Sequence, residues 1–85
     1  TMSSQVIELD REELARNRVS VFLCSDDEAA KSVVKALAEE LGFIGVDCGK
    51  LERAGLVESV GDFIRFQIVE MGLGSYATVS VNVIP

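Results

Sequence analysis

Only a few residues in this chain are of types that can do chemistry. Two cysteines, Cys24 and Cys48, offer thiols, and an acidic run at Asp26, Asp27 and Glu28 offers carboxylates. Asp47 stands alone just before Cys48, and Gly72-Leu73-Gly74-Ser75-Tyr76-Ala77 spells G-x-G-x-x-A. Histidine is absent, which removes the usual general base and the commonest metal ligand. Without it no Ser-His-Asp or Cys-His pair exists to activate a nucleophile. Two cysteines cannot fill a four-ligand zinc site, and a secreted domain of this size usually carries more bridges. No basic residue adjoins either cysteine in sequence, so nothing argues for a lowered thiol pKa, and both read as small buried hydrophobes.

Each remaining candidate has a structural explanation in the element that carries it. The G-x-G-x-x-A string works as a dinucleotide fingerprint only when a strand delivers the glycines to a helix N-terminus. Here the glycines follow a helical pattern and lead into an alternating one, so they read as a helix stop and turn. Ser25 followed by Glu28 is a capping box, with Asp26 and Asp27 favoured in that first turn by the helix dipole. Asp47 closes a strand, where α/β proteins often place ligand contacts, and it reads more readily as the cap of the next helix.

The elements follow from the spacing of apolar residues. Ser3 to Arg18 is a polar lead-in with a helical turn capped by Asp10. Val19 to Cys24 is a short apolar run of strand formers, buried on both faces. Behind the cap, Ala30, Val33, Val34, Leu37, Ala38 and Leu41 recur at helical spacing, and this face is expected to pack on the sheet. Lys31, Lys35, Glu39 and Glu40 mostly take the solvent side. Gly42 ends the helix in the left-handed region, and Phe43 folds back on it. Phe43 to Val46 is a second strand, so strand, helix, strand form a βαβ unit with parallel neighbours.

Leu51 to about Met71 reads as a second long helix. Ala54, Val57, Val60, Gly61, Phe63, Ile64, Ile68 and Met71 fill nearly half its circumference, and Leu51, Phe66 and Val69 form another strip. An arc this wide implies two covering surfaces, the sheet and something else. From Tyr76 to Ile84, Val79, Val81 and Val83 alternate with polar residues, which predicts a half-buried C-terminal strand. The expected architecture is α/β in the order βαβ-α-β: a parallel strand pair plus a C-terminal strand, in three layers.

Composition narrows the functional class. The 85 residues suit one small domain (1–18 lead-in, 19–85 globular part) or a piece of a larger one. Thr1 ahead of Met2 reads as a vector scar or a cut inside a longer chain. Eight basic against fourteen acidic residues leave a net charge of −6, unsuited to nucleic acid or anionic membranes. No apolar run is long enough for a membrane span and the N-terminus lacks a signal-peptide pattern, so a cytoplasmic protein is expected.

One resemblance adds to this reading. Val21-Phe22-Leu23-Cys24-Ser25-Asp26-Asp27, Ala30-Lys31, Leu41-Gly42-Phe43 and Val46-Asp47-Cys48-Gly49-Lys50-Leu51 occur in the order seen in one family. Together they resemble the carboxyl-terminal part of the coenzyme F420-dependent NADP oxidoreductases. There a strand ends in a small residue and an Asp pair, and a Gly-Phe step and a strand ending Asp-x-Gly follow. The likeness spans Arg18 to Glu58, with a weaker echo from Met71 to Gly74. Lys50 stands where the family usually has Pro, and Ser25 where it often has Gly; both departures fall in turns. The resemblance implies a Rossmann-like fold whose Gly-rich NADP loop lies on an earlier strand and is missing here. It implies that these residues complete the sheet, the dimer contact and the deazaflavin side of the cleft. Met71, Gly72 and Gly74 would line that cleft. NADP and F420 would belong to the complete enzyme, with no catalytic or metal-binding residue in this stretch, which would be inactive alone. The alternative is a free-standing homodimeric interaction module or small-ligand binder.

Overall fold

The computed structural model describes Met2 and residues 4–84. Two short helices, α1 (Ser4–Ile7) and α2 (Arg11–Arg16), precede strand β1 (Ser20–Leu23). Helix α3 (Glu28–Glu40) crosses to strand β2 (Ile44–Asp47), and a 3-10 turn (Leu51–Arg53) leads into helix α4 (Ala54–Val69). β1 and β2 pair in parallel, with Ser20 opposite Ile44 and Leu23 opposite Asp47. The βαβ unit is therefore present, and the chain is a mixed α/β protein. No helix among the described residues is long and apolar enough to cross a membrane.

Strand alternation sorts the two faces of the sheet. Gly45 and Asp47 face α3: Lys35 lies against Gly45, and the Lys31 ammonium reaches Asp47. Phe22, Val46 and Cys48 face the other way, where they share a cavity with Leu56, Val57 and Val60 of α4. The strand pair thus lies between two helices. Gly45 makes the α3 side possible, since a Cβ there would sit 2.6 Å from Lys35 Cγ.

The tightest packing lies at the amino-terminal end. Val6 of α1, Leu14 of α2 and Val19 are almost wholly buried together, with Met2, Leu9 and Phe43 packed against them. Asp10 caps α2, its carboxylate accepting from Glu13 N at 2.9 Å. Arg11 then donates from Nε to Glu40 O, tying α2 to the far end of α3. Gly42 ends α3 at φ 101°, and Phe43 N returns to Ala38 O at 3.0 Å, the bond of a helix C-cap. A Cβ on Gly42 would come within 2.5 Å of Arg11 O, so this close approach also requires glycine.

Three expectations are corrected. The cap of α3 is Asp27 in place of Ser25, because the helix begins at Glu28 and the Asp27 carboxylate accepts from Ala30 N at 3.0 Å. Ser25 Oγ instead accepts from Asp27 N, closing a tight turn ahead of the helix.

The face that α3 turns to the sheet is also different. Lys31 and Ala38 are buried and Lys35 half-buried, whereas Ala30, Val33, Val34, Leu37 and Leu41 are all exposed. At about 100° per residue the two arcs point roughly 110° apart. The lysines face the sheet because Gly45 leaves room for an aliphatic stem and Asp47 awaits an ammonium.

The third correction concerns the tail. Tyr76 to Ile84 forms no strand, and the sheet has two strands among the described residues. Alternation makes a segment competent for a sheet edge, but a strand exists only where a ladder forms. Here side-chain bonds hold the tail: Ser80 Oγ donates to Arg18 O at 2.7 Å, and Arg18 Nε donates to Asn82 Oδ1.

In α4, Ile64 is buried, and Ala54, Val57, Val60, Gly61 and Ile68 are half-buried. They span an arc of about 120°. Phe63, Phe66 and Val69 lie outside it, exposed. The sheet side covers only part of the apolar circumference.

Candidate functional site

The chemistry-bearing residues converge at the carboxyl ends of β1 and β2, where open α/β sheets bind their ligands. The ladder runs past the strands: Cys48 N donates to Leu23 O at 2.8 Å and Ser25 N to Gly49 O at 3.0 Å. Cys24 and Cys48 are therefore opposite each other, as the parallel pairing of their strands required. The loop after β1 brings Asp26, Asp27 and Glu28 to the same end. The loop after β2 brings Asp47 and Gly49.

Lys31 is the centre of the polar network. Its Nζ lies 2.9 Å from Asp47 Oδ1, 3.2 Å from Glu28 Oε1 and 3.2 Å from Gly49 O. Only 5% of its side chain is exposed, so the ammonium has exchanged water for these three acceptors. The hydrogen bond to Asp47 holds its pKa above the ordinary lysine value, outweighing the opposing effect of desolvation. Asp47 moves the other way. Its Oδ1 accepts from Gly49 N at 2.8 Å, and this bond, followed by Lys31, holds the carboxyl below the usual carboxylate range. Asp47 is thus a clasp between β2 and α3 and does not cap the following helix. Asp26 serves that helix, its Oδ1 accepting from Leu51 N at 3.2 Å.

This arrangement defines what the site can do. The N-terminus of α3 gives an amide to Asp27, and the turn before α4 gives one to Asp26. Amides that would otherwise meet a phosphate are engaged by the chain's own carboxylates, and those charges repel an anion. The loop after β1 is therefore a poor site for an anion. The acidic run is structural, and no group of three or more potential metal ligands occurs among the described residues. Asp62 and Arg65 form a further ion pair on α4, largely in solvent.

The cysteines are free and half-buried. Cys24 Sγ lies 3.8 Å from Cys48 O, and Cys48 Sγ lies 3.7 Å from Val46 O. Burial pushes the Cys48 thiol up, and the neighbouring Cys24 adds to the effect. Cys48 opens on the cavity of about 370 Å³ between β-sheet and α4, which is lined mainly by apolar groups and carries one cation, Arg53.

Met71, Gly72 and Gly74 lie in the exposed turn beyond α4, with Gly72 and Gly74 both at positive φ. The glycines stop the helix, and among the described residues the G-x-G-x-x-A string has no helix N-terminus beyond it. Sequence reasoning placed Lys31 on the solvent side and passed over Arg53. The signal for Lys31 was Glu28 three residues before it, a spacing that puts both on one helix face. Comparison with family models, curated proteins and solved structures finds no match to this chain.

Proposed function

We propose that the chain is the carboxyl-terminal part, or a truncated relative, of an NADP-dependent oxidoreductase of the F420-dependent class. In this reading it extends the sheet, supplies surface for the dimer and the cofactor cleft, and is inactive alone. The observation that carries the reading is the parallel pair β1–β2 with no third strand among the described residues, flanked by helices whose apolar arcs reach beyond it. Parallel sheets are built with more strands and with both faces covered, because their strands and crossover helices bury each other. The apolar arc of α3 points sideways from the strands it packs on, the direction in which a neighbouring helix lies in a doubly wound layer. The acidic, self-capped loop after β1 agrees with phosphate binding on an earlier strand. NADP and F420 would then be held by the complete enzyme, and Met71, Gly72 and Gly74 would border its cleft.

Two measurements test this. The purified 85 residues should neither bind NADP nor transfer hydride from NADPH to F420. An antibody against Ser25–Gly42 should detect a product much heavier than 9.2 kDa in source cells. Hydride transfer by the isolated chain would overturn the proposal, and a native band at its own mass would exclude the carboxyl-terminal part and leave the truncated relative.

A second reading is favoured by the exposed stripe Val33, Val34, Leu37 and Leu41, 48–62% accessible. In it the chain is a homodimeric interaction module joined through its apolar faces. Sedimentation as a monomer at micromolar concentration would eliminate it.

A further inference from the structure

We propose that Cys24 and Cys48 form a bis-thiolate site for a single soft monovalent cation of the Cu(I) class. The inference rests on the strand register and is independent of the proposed oxidoreductase reading.

The two cysteines extend the ladder by one step beyond the Leu23–Asp47 pair, so their side chains leave the same face of the sheet. Adjacent strands lie about 4.8 Å apart, and paired Cβ atoms in a parallel ladder stand side by side at about that spacing. A disulfide needs Cβ atoms at about 3.8 Å and sulfurs at about 2.05 Å, so closing one here would pull the strands together. An ion placed between the sulfurs needs no such movement. A metal–thiolate bond is about 2.3 Å long in zinc sites, and two such bonds in line span about 4.6 Å. The register supplies that spacing without distortion.

The donor set selects the ion. Two soft sulfurs with no third ligand among the described residues cannot satisfy zinc, which takes four, and the chain contains no histidine. Cu(I) prefers thiolates and accepts low coordination numbers. The surroundings fit a bound complex of net charge −1. Cys48 and Arg53 line the same mainly apolar cavity, so a cation stands near the bound complex to offset that charge. Binding breaks two S–H bonds, sends two protons to solvent and forms two metal–sulfur bonds. No electron is transferred.

The test is an anaerobic titration of the reduced full chain with Cu(I) against a competing chelator, repeated with Ag(I). One ion per chain is expected. Cys24→Ser and Cys48→Ser should each weaken binding by roughly a hundredfold or more, because the second thiolate acts at high effective concentration. Circular dichroism checks that both variants keep their helices. X-ray absorption of the copper-loaded wild-type chain, which needs no variant, should count two sulfur neighbours. A single serine variant that binds as tightly as wild type would overturn the site. So would one sulfur neighbour, one ion per two chains, or ready Cys24–Cys48 disulfide formation under mild oxidation.

Discussion

Two leucines of similar sequence character sit in opposite environments, and truncating each to alanine measures the difference. Leu14 of α2 is 2% exposed among Val6, Val19 and Leu9, whereas Leu37 of α3 is 54% exposed. A fully buried leucine truncated to alanine costs about 2–5 kcal/mol, the lost transfer energy plus the cavity left behind. Burying a whole leucine side chain is worth about 1.5–3 kcal/mol, so Leu37, about half covered, should contribute about 1 kcal/mol or less to truncation. Alanine also has the higher helix propensity, which offsets part of that. A chain of this length has a total stability of roughly 4–13 kcal/mol. Leu14→Ala should therefore lower the thermal midpoint by about 8 °C or more, and Leu37→Ala by no more than about 8 °C. Thermal unfolding followed by circular dichroism gives both midpoints on one instrument. Equal losses, or a larger loss at Leu37, would refute the orientation of α3. The stripe Val33–Leu41 would then be the face on the sheet, and Lys31 could not be buried against Asp47. Val34→Asp supplies a check in the same experiment. At 48% exposure its carboxylate reaches water, so the variant should remain folded.

Asp47 has a folded pKa below its unfolded value, so its stabilising effect is present above the ordinary carboxylate range and lost as pH falls through the folded value. Lys31 has a raised folded pKa, so its effect is full below the ordinary lysine value and lost as pH rises through the folded one. Urea midpoints should stay level from neutral pH to the mildly alkaline range and fall at both extremes. Asp47→Asn should shrink the acid-side fall, and an unchanged acid limb would count against the clasp. Asp27→Ala removes the cap of α3 and should cost about 1 kcal/mol, whereas Ser25→Ala should cost less; the reverse order would restore Ser25 as the cap. Gly42→Ala meets both the positive φ and the Arg11 carbonyl, so a loss above about 1 kcal/mol is expected, and a neutral result would place α2 away from this corner.

The legible part of this protein was its local structure. Strand formers between Val19 and Cys24, the start of α3 (its position, though not its capping residue) and the Gly42 stop each act through neighbours a few residues away. The order β1-α3-β2 followed from them, and parallel pairing follows from that order. The meeting of Cys24 and Cys48 was readable for the same reason, since a βαβ unit aligns the ends of its strands. Gly72 and Gly74 were readable as a stop because their context, helix before and no helix after, is also local.

Tertiary structure decided which surfaces are used. The apolar stripe of α3 looked like its sheet face, but the sheet offers Gly45 and Asp47 at that place, and these fit two lysine stems and an ammonium better than a leucine. Asp47 became a clasp because Lys31 arrives from an element sixteen residues earlier, a distance over which sequence patterns carry no orientation. The alternation of Val79, Val81 and Val83 marked a segment able to join a sheet, yet pairing depends on an edge brought alongside. Periodicity tells a chain which side is apolar; only packing determines what that side meets, because burial is a property of two surfaces and a sequence describes one.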